Sequence, residues 1–460
     1  MLRRLLACLI VVLAGCATPA RPPIEDQGLP AVIAHAELGA YMESQFRADT
    51  PGGVVLVARG EQVLLHQAYG LADMSTQRAM TITQPLPMGS ITQSFTAAGV
   101  LQLVQTGLIG LDDDIRTQVA KAPVGDQLVT VEQLLTHTSG LPNIVDMVDF
   151  PRWAKQPRAT AELIAHAANE DFHFAPGSDF YYSDSGYVLL GALLERYVGA
   201  SWHAAIRAQV ALPLGLNSVD SAENPGPLAA VGYSKAGDWY MPAEVIDPSV
   251  AHASGGLLAT AADLLGWVRA WRDGRLLTPA LREQAWQART LPSGVYSGYG
   301  FGWKRHPFEN REAIQQGGFV PGYTASLLHL PLDDLTAIVL LNTDSGIEAS
   351  HLSRRALRLL LTGSTDLVVH PLSDSERAGL AGRFRSERGA EWTLTADAHA
   401  LTLDLDGQRV ALVAVAADSL CATDSDGSWC FVIGRDSAGH AMTIAEALNG
   451  EPQTRATRVE

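Results

Sequence analysis

The residue best placed to do chemistry is Ser90. In Pro87 to Gly107, PMGSITQSFTAAGVLQLVQTG, a short polar opening runs straight into a segment that is apolar nearly all round: Ile91, Phe95, Ala97, Ala98, Val100, Leu101, Leu103 and Val104. Such a helix belongs in a core. Ser90, behind Gly89, sits at its mouth, among unpaired backbone N–H groups and the positive end of the helix dipole. A hydroxyl held there can attack a carbonyl and have the resulting oxyanion stabilised by nearby N–H groups. The plainer alternative is an N-cap that only accepts a backbone hydrogen bond. Other chemistries find little support. The 13 His residues are scattered, and no His and Cys spacing points to zinc or another metal. The four Lys, at 121, 155, 235 and 304, have no Ser three residues before them. Gly232-Tyr233-Ser234-Lys235-Ala236 comes near a Gly-x-Ser-x-Gly elbow but does not complete it.

GSITQSFTA (Gly89–Ala97) resembles the first motif of the serine β-lactamase and penicillin-binding-protein superfamily, on its class C and esterase side, where the pattern is Ser-x-x-Lys. Ser90 matches the nucleophile, and Gln93 stands where the family has Lys. Three further stretches match in order. VEQLLTHTSGLP (Val131–Pro142) resembles a structural signature of the family, which makes His137 a residue that shapes the fold beneath the site. PGSDFYYSDSGYVLLG (Pro176–Gly191) resembles the Tyr-x-Asn block, with Tyr182 as the tyrosine and Asp184 in place of Asn. QQGGFVPGY (Gln315–Tyr323) resembles the third motif, with Gln316 at its cationic position and Gly317 and Gly318 after it. The resemblance covers roughly residues 40 to 345.

What the resemblance implies is acyl transfer. Ser90 attacks a carbonyl, an acyl-enzyme forms, and water releases the acid. In the family, Lys and Tyr lower each other's proton affinity so that one acts as base. Gln93 lies one helical turn from Ser90 and faces the same side, but an amide takes no proton at neutral pH. Nor does it draw down the proton affinity of Tyr182, whose phenol starts near about 10. General-base help is worth about 10²–10⁴ in rate, so its loss is severe unless another group replaces it. Asp184 is the candidate, its carboxylate taking the serine proton; the alternative is that it only caps the following helix. Gln316 offers hydrogen bonds without charge, which favours a neutral ester or amide over a substrate chosen through a carboxylate. Gly317 and Gly318 fit a strand edge where a ligand approaches closely, and that strand is expected to supply one oxyanion N–H. The three substitutions also support a second reading: a protein that binds peptide, cell-wall or lipid fragments without turning them over.

The elements that must position these residues follow from pattern. Ile33 to Phe46 reads as an amphipathic helix. Gly52 to Gly70 reads as two strands turning at Arg59-Gly60-Glu61. Val131 to Leu135 begins a helix ended by Ser139-Gly140-Leu141-Pro142, and Gly186 to Val198 is another. Gly226 to Ala243 reads as loops. Thr260 with Asp263 looks like a cap before an apolar stripe. Thr324 to Thr343 reads as a hairpin of buried strands around Pro331–Asp334, and Ala349 to Leu361 as the closing helix. Strands at both ends with helices between predict an α/β (α+β) fold: an antiparallel sheet completed by distant segments and flanked by helices. After a break at Gly363 to Glu376 the chain shifts to short alternating strands, with Asp406-Gly407 as a hairpin signal. This predicts a small C-terminal β-barrel-like domain, similar to the lipocalin-like tails that accompany the family. Asp424-Ser425-Asp426-Gly427 lacks the remaining acidic ligands of a calcium loop and reads as a turn.

The 460 residues suffice for more than one domain with a large core, and the composition (47% hydrophobic, 18% charged) is that of a globular protein. A net charge of -16 with no basic cluster beyond the first residues excludes nucleic acid as an expected partner. Arg3 and Arg4 precede an apolar run, Leu5 to Ala14, too short for a confident membrane span. Leu13-Ala14-Gly15-Cys16 resembles a bacterial lipobox, which implies cleavage before Cys16, lipidation there, and, with Ala17 following, the periplasmic side of the outer membrane; an ordinary secretory signal giving a soluble product is the alternative. The expected division is a signal over 1–15, a tether over 16–32, the hydrolase-like domain over 33–362 and the β-rich domain over 363–460. In an oxidising compartment Cys421 and Cys430, nine apart, are expected to close a disulfide across a hairpin, with two reduced thiols as the alternative. No cofactor is implied, and the oligomeric state is left open.

Overall fold

Strand residues point alternately to opposite faces, so a strand apolar at every position must be covered on both. Gly53–Arg59 (β1) is buried along all but its last residue, and Leu335–Leu341 (β6) along its whole length. In the computed structural model these two strands pair at the centre of a six-stranded antiparallel sheet. Its other strands are Gln62–Tyr69 (β2), Lys304–Phe308 (β3), Arg311–Val320 (β4) and Tyr323–Leu330 (β5), in the order β3-β4-β5-β6-β1-β2. The described residues are 35–460, apart from 169, 245, 293–296, 310, 387–388, 398–399, 424, 426, 428, 449–450 and 460. The lipobox with Cys16, the tether and the acids Asp424 and Asp426 therefore lie outside them.

One face of the sheet, through Val55, Val57, Val339 and Leu341, packs with Leu38 and Met42 of helix His35–Gln45 (α1) and Leu357 of helix Ala349–Thr362 (α7). The other face, through Val54, Leu56, Ile338 and Leu340, packs on the larger core. That core holds helices Thr92–Gln105 (α2), Val131–Leu135 (α3), Asp184–Val198 (α4), Pro248–Gly255 (α5) and Ala261–Arg272 (α6). α2 is buried at 11 positions, including Thr92, Gln93, Ser94 and Thr96, as its all-round apolar pattern predicts. Its polar positions are answered individually. Ser94 Oγ accepts the indole N–H of Trp267 at 2.9 Å, and Thr96 Oγ1 donates to Ala253 O at 2.7 Å. Phe95 stacks on Trp267 with ring centres 4.0 Å apart. The Thr260 cap forms, its hydroxyl accepting Asp263 N–H at 3.2 Å.

One feature departs from the sequence pattern and one bears it out. Within 226–243, read as loops, Tyr233–Ala236 and Trp239–Pro242 pair as a hairpin. Gly237, with φ +61°, supplies the left-handed turn residue between the two strands. The C-terminal segment is a closed eight-stranded barrel, each strand paired with the next and Glu451–Arg458 closing on Gly382–Ser386. Its interior holds Phe384, Leu394, Leu403, Leu420, Phe431 and Ile444 in one buried core, as the β-barrel-like reading predicts. Cys421 and Cys430 face each other on adjacent strands and are bonded, S–S 2.00 Å.

Candidate active site

Ser90 lies in a single 3₁₀ turn, Gly89–Ile91, that leads into α2. It is half-buried, and it is not a cap. Met88 and Ile91 occupy the cap positions, and neither makes a side-chain capping bond. The turn is wedged against the end of β4. Gly89 adopts φ +51°, and a Cβ there would lie 2.5 Å from the backbone N of Phe319. A Cβ on Gly318 would lie 1.9 Å from Met88 O, closer than any real contact. Two glycines thus let strand and turn touch backbone to backbone, which brings the Gly318–Phe319 edge to the Ser90 turn. At Gly317 a Cβ would meet only Ala325 O, at 3.8 Å. From behind, Met88 N–H donates to Leu257 O at 3.1 Å, and Leu257 N–H donates to Thr92 Oγ1 at 3.2 Å.

Gln93, fully buried, is the centre of a polar network that gathers the distant motifs. Its Nε2 lies 2.6 Å from the Tyr182 hydroxyl and 3.3 Å from Asp184 Oδ1. Its Oε1 lies 3.1 Å from His137 Nε2 and 2.6 Å from the Tyr299 hydroxyl. Gln316, also fully buried, donates from Nε2 to Tyr299 Oη at 3.0 Å and to Gly302 O at 3.2 Å. Asp184 is the first residue of α4, with Ser183 at the cap position, and its backbone N–H donates to Asn143 Oδ1 at 3.0 Å. Gln93, Gln316, Tyr182 and Asp184, far apart in sequence, therefore share one hydrogen-bonded cluster, one turn along α2 from Ser90.

The electrostatics follow from burial. His137, at φ +57°, is caged by the rings of Tyr182, Tyr187 and Tyr299, with centres 4.3, 5.1 and 4.5 Å away. Burial pushes its imidazole down to about 3, and the charge of Lys304 acts in the same direction. Burial raises the Tyr187 phenol, which donates to Leu135 O at 2.9 Å. Of the residues that follow Trp303 in sequence, Lys304 acts on the cluster through its charge at His137, whereas Arg305 and His306 have partners elsewhere. His306 contacts Gln315 Oε1 at 2.6 Å, and Arg305 pairs with Glu312. Gln315 also accepts from Arg354 at 3.1 Å. Residues Gln315 and Gln316 point to opposite faces of β4, as strand alternation requires.

His137 is thus more than a support below the site, because it touches Gln93 directly. Tyr299 and Asn143 also belong to the cluster, and nothing in their local sequence marks them; only the closure of the fold brings them in. Among the described residues no group of three or more His, Cys, Asp or Glu is placed to hold a metal ion.

The fold is matched by known proteins. The Beta-lactamase family profile matches residues 38–362. Penicillin-binding protein 4 of Amycolatopsis lactamdurans is 27% identical over 354 residues, 71% of this chain and 91% of that protein. D-aminopeptidase of Brucella anthropi is 26% identical over 336 residues, 71% of this chain and 62% of that protein. The octameric penicillin-binding protein homologue from Pyrococcus abyssi superposes with a TM-score of 0.64 at 23% identity, covering 92% of this chain and 99% of its own.

Proposed function

The chain belongs to the β-lactamase family, and from that premise we propose that it is a serine hydrolase that opens an ester or amide through an acyl-enzyme on Ser90. The observation that carries this reading is the close approach of the Gly318–Phe319 strand edge to the Ser90 turn, with Tyr182 and Asp184 held one helical turn away through Gln93. In the proposed reaction Ser90 Oγ bonds to the substrate carbonyl carbon and gives its proton to the Asp184 carboxylate. The carbonyl oxygen takes the negative charge between the N–H groups of Ser90 and Phe319. The tetrahedral adduct then collapses, and the alcohol or amine leaves with a proton delivered from the Tyr182 side. Water attacks the acyl-enzyme by the reverse route and frees Ser90. Gln316, engaged with Tyr299 and Gly302, offers no charge to a substrate carboxylate, which favours a neutral substrate. The relative named as a D-aminopeptidase supports a small amide as one such substrate. We also propose that a lipid on Cys16 holds the protein at the periplasmic side of the outer membrane.

A second reading, binding without turnover, is favoured by one observation: Gln93 stands in the motif's Lys position with all its polar contacts satisfied. A fluorophosphonate probe separates the two. Labelling that maps to Ser90 and disappears in Ser90→Ala supports the hydrolase; no labelling at saturating probe would leave the binding protein. Asp184→Asn tests the proton acceptor. The expected loss of acylation rate is about 10²–10⁴-fold, and an unchanged rate removes Asp184 from that role.

A further inference from the structure

The amide of Gln93 has two orientations that differ by exchanging its oxygen and nitrogen, and hydrogen bonds alone select between them. Two chains of contacts, each beginning at a backbone group whose role is unambiguous, decide the choice. In the first, Ser183 N–H donates to His137 Nδ1 at 3.2 Å. A backbone N–H is always a donor, so Nδ1 carries a lone pair and the neutral ring carries its hydrogen on Nε2. That hydrogen faces Gln93 at 3.1 Å, so the Gln93 atom there is the oxygen. In the second chain, Gly317 N–H donates to Gln316 Oε1 at 3.2 Å, and Gln316 Nε2 faces Gly302 O at 3.2 Å. A donor on one side and an acceptor on the other fix the Gln316 amide. Its NH₂ then donates to Tyr299 Oη at 3.0 Å, and the Tyr299 hydroxyl, which also meets the Tyr187 phenol, lies 2.6 Å from the same Gln93 atom. The first chain requires an acceptor at that Gln93 atom, and the second brings a hydroxyl able to donate to the same atom.

We infer that His137 and Tyr299 are positioning residues: together they hold the Gln93 oxygen, and so aim its NH₂ group at Tyr182 and Asp184. The consequence falls on Tyr182. Its oxygen accepts from Gln93 at 2.6 Å, so its own proton is directed away from Gln93. Gln93 therefore takes no proton from the phenol. Asp184 Oδ1 takes the second N–H at 3.3 Å. The substitution of Lys by Gln is then one part of a matched set, in which neighbours that supply hydrogens meet an oxygen. Buried polar networks of this kind are held only when every member is satisfied.

The inference rests on the hydrolase reading for its rate measurement but not for its structural one. For the rate, Ser90 labelling is followed in wild type, His137→Asn, Gln93→Met and the double variant. Asn is chosen because it tolerates a positive φ, while its shorter side chain does not span Ser183 and Gln93. His137→Asn is expected to slow labelling about tenfold. In the Gln93→Met background, where no amide remains to be aimed, the same change is expected to have no further effect. An equal loss in both backgrounds, or no loss in either, overturns the inference. If His137→Asn fails to fold, Tyr299→Phe takes its place in the cycle, with the same expectations and the same overturning results. For the structure, long-range ¹H–¹⁵N NMR of the His137 ring in unlabelled wild-type protein reads the tautomer without any turnover. A hydrogen on Nε2 is expected; a hydrogen on Nδ1 alone, or on both nitrogens at neutral pH, overturns the inference whatever the fate of the hydrolase reading.

Discussion

At the scale of single residues, the cluster around Gln93 argues that restoring the family's lysine will not restore the family's chemistry. In Gln93→Lys an ammonium would meet the Nε2–H of His137 and the Tyr299 proton, two donors where the amide oxygen now stands. A neutral amine would accept one of them and thereby lose the lone pair that a base needs. The expected outcome is a protein less stable by about 1–3 kcal/mol, the cost of a buried donor left unmatched, and no faster in acylation. Urea unfolding and Ser90 probe kinetics check the two halves; faster labelling would show that the neighbours adapt to a base after all. The sequence made Ser90, Gln93, Tyr182, Asp184 and Gln316 legible because each sits at a fixed offset inside a motif. Tyr299 and Asn143 were not legible, since a lone aromatic or amide carries no spacing signal. His137 was visible only as part of a structural signature, because its bond to Gln93 spans 44 residues of sequence separation.

At the scale of elements, the site depends on one contact, strand β4 against the Ser90 turn, and its two glycines are not equivalent. Gly318→Ala places a methyl 1.9 Å from Met88 O, where only a shift of backbone relieves it. It is expected to cost about 1–3 kcal/mol and to push the strand edge off the Ser90 turn, abolishing labelling. Gly317→Ala meets nothing nearer than 3.8 Å and is expected to change stability by less than about 1 kcal/mol. Labelling and thermal unfolding of the pair separate the prediction from a general intolerance of side chains in β4: equal effects at both positions would sink it. Most of these elements were legible in sequence because each is a strong apolar run, such as β1, buried along all but its last residue, the all-buried β6 and the all-round apolar α2. The hairpin within 226–243 was not, because its strands are short and largely exposed, so no apolar alternation marks them. The barrel was legible through its short alternating strands.

At the scale of the whole molecule, four buried imidazoles tie stability to pH. Burial is the leading cause in each, pushing His137 and His252 down to about 3 and His306 and His329 down to about 4. All four lie before the barrel, in the part that holds the sheet and the site. In the unfolded chain each ring titrates near 6.5, so below that value the unfolded state binds protons that the folded state refuses. Stability contributed by these rings is therefore complete above 6.5 and declines as pH falls toward 4, by up to about 1.4 kcal/mol per ring for each pH unit. Even half of that ceiling for four rings, about 3 kcal/mol per unit, is a large share of the roughly 5–15 kcal/mol of a folded domain. Carboxylates act later: Asp73, held down to about 2 by hydrogen bonds from Ser75 and Thr76, adds its loss only below its ordinary 3.8. Urea titrations at a series of pH values are thus expected to show the folding midpoint falling well before any carboxylate is protonated. Because His137 stays neutral until about 3 in the folded state, protonation of its ring will not disable the Gln93 cluster while the fold persists. Ser90 labelling corrected for Asp184 ionisation should then be lost on acidification with the same midpoint as unfolding. Loss at a higher pH, with the fold intact, would mean that the ring beside Gln93 is charged far more easily than its burial allows.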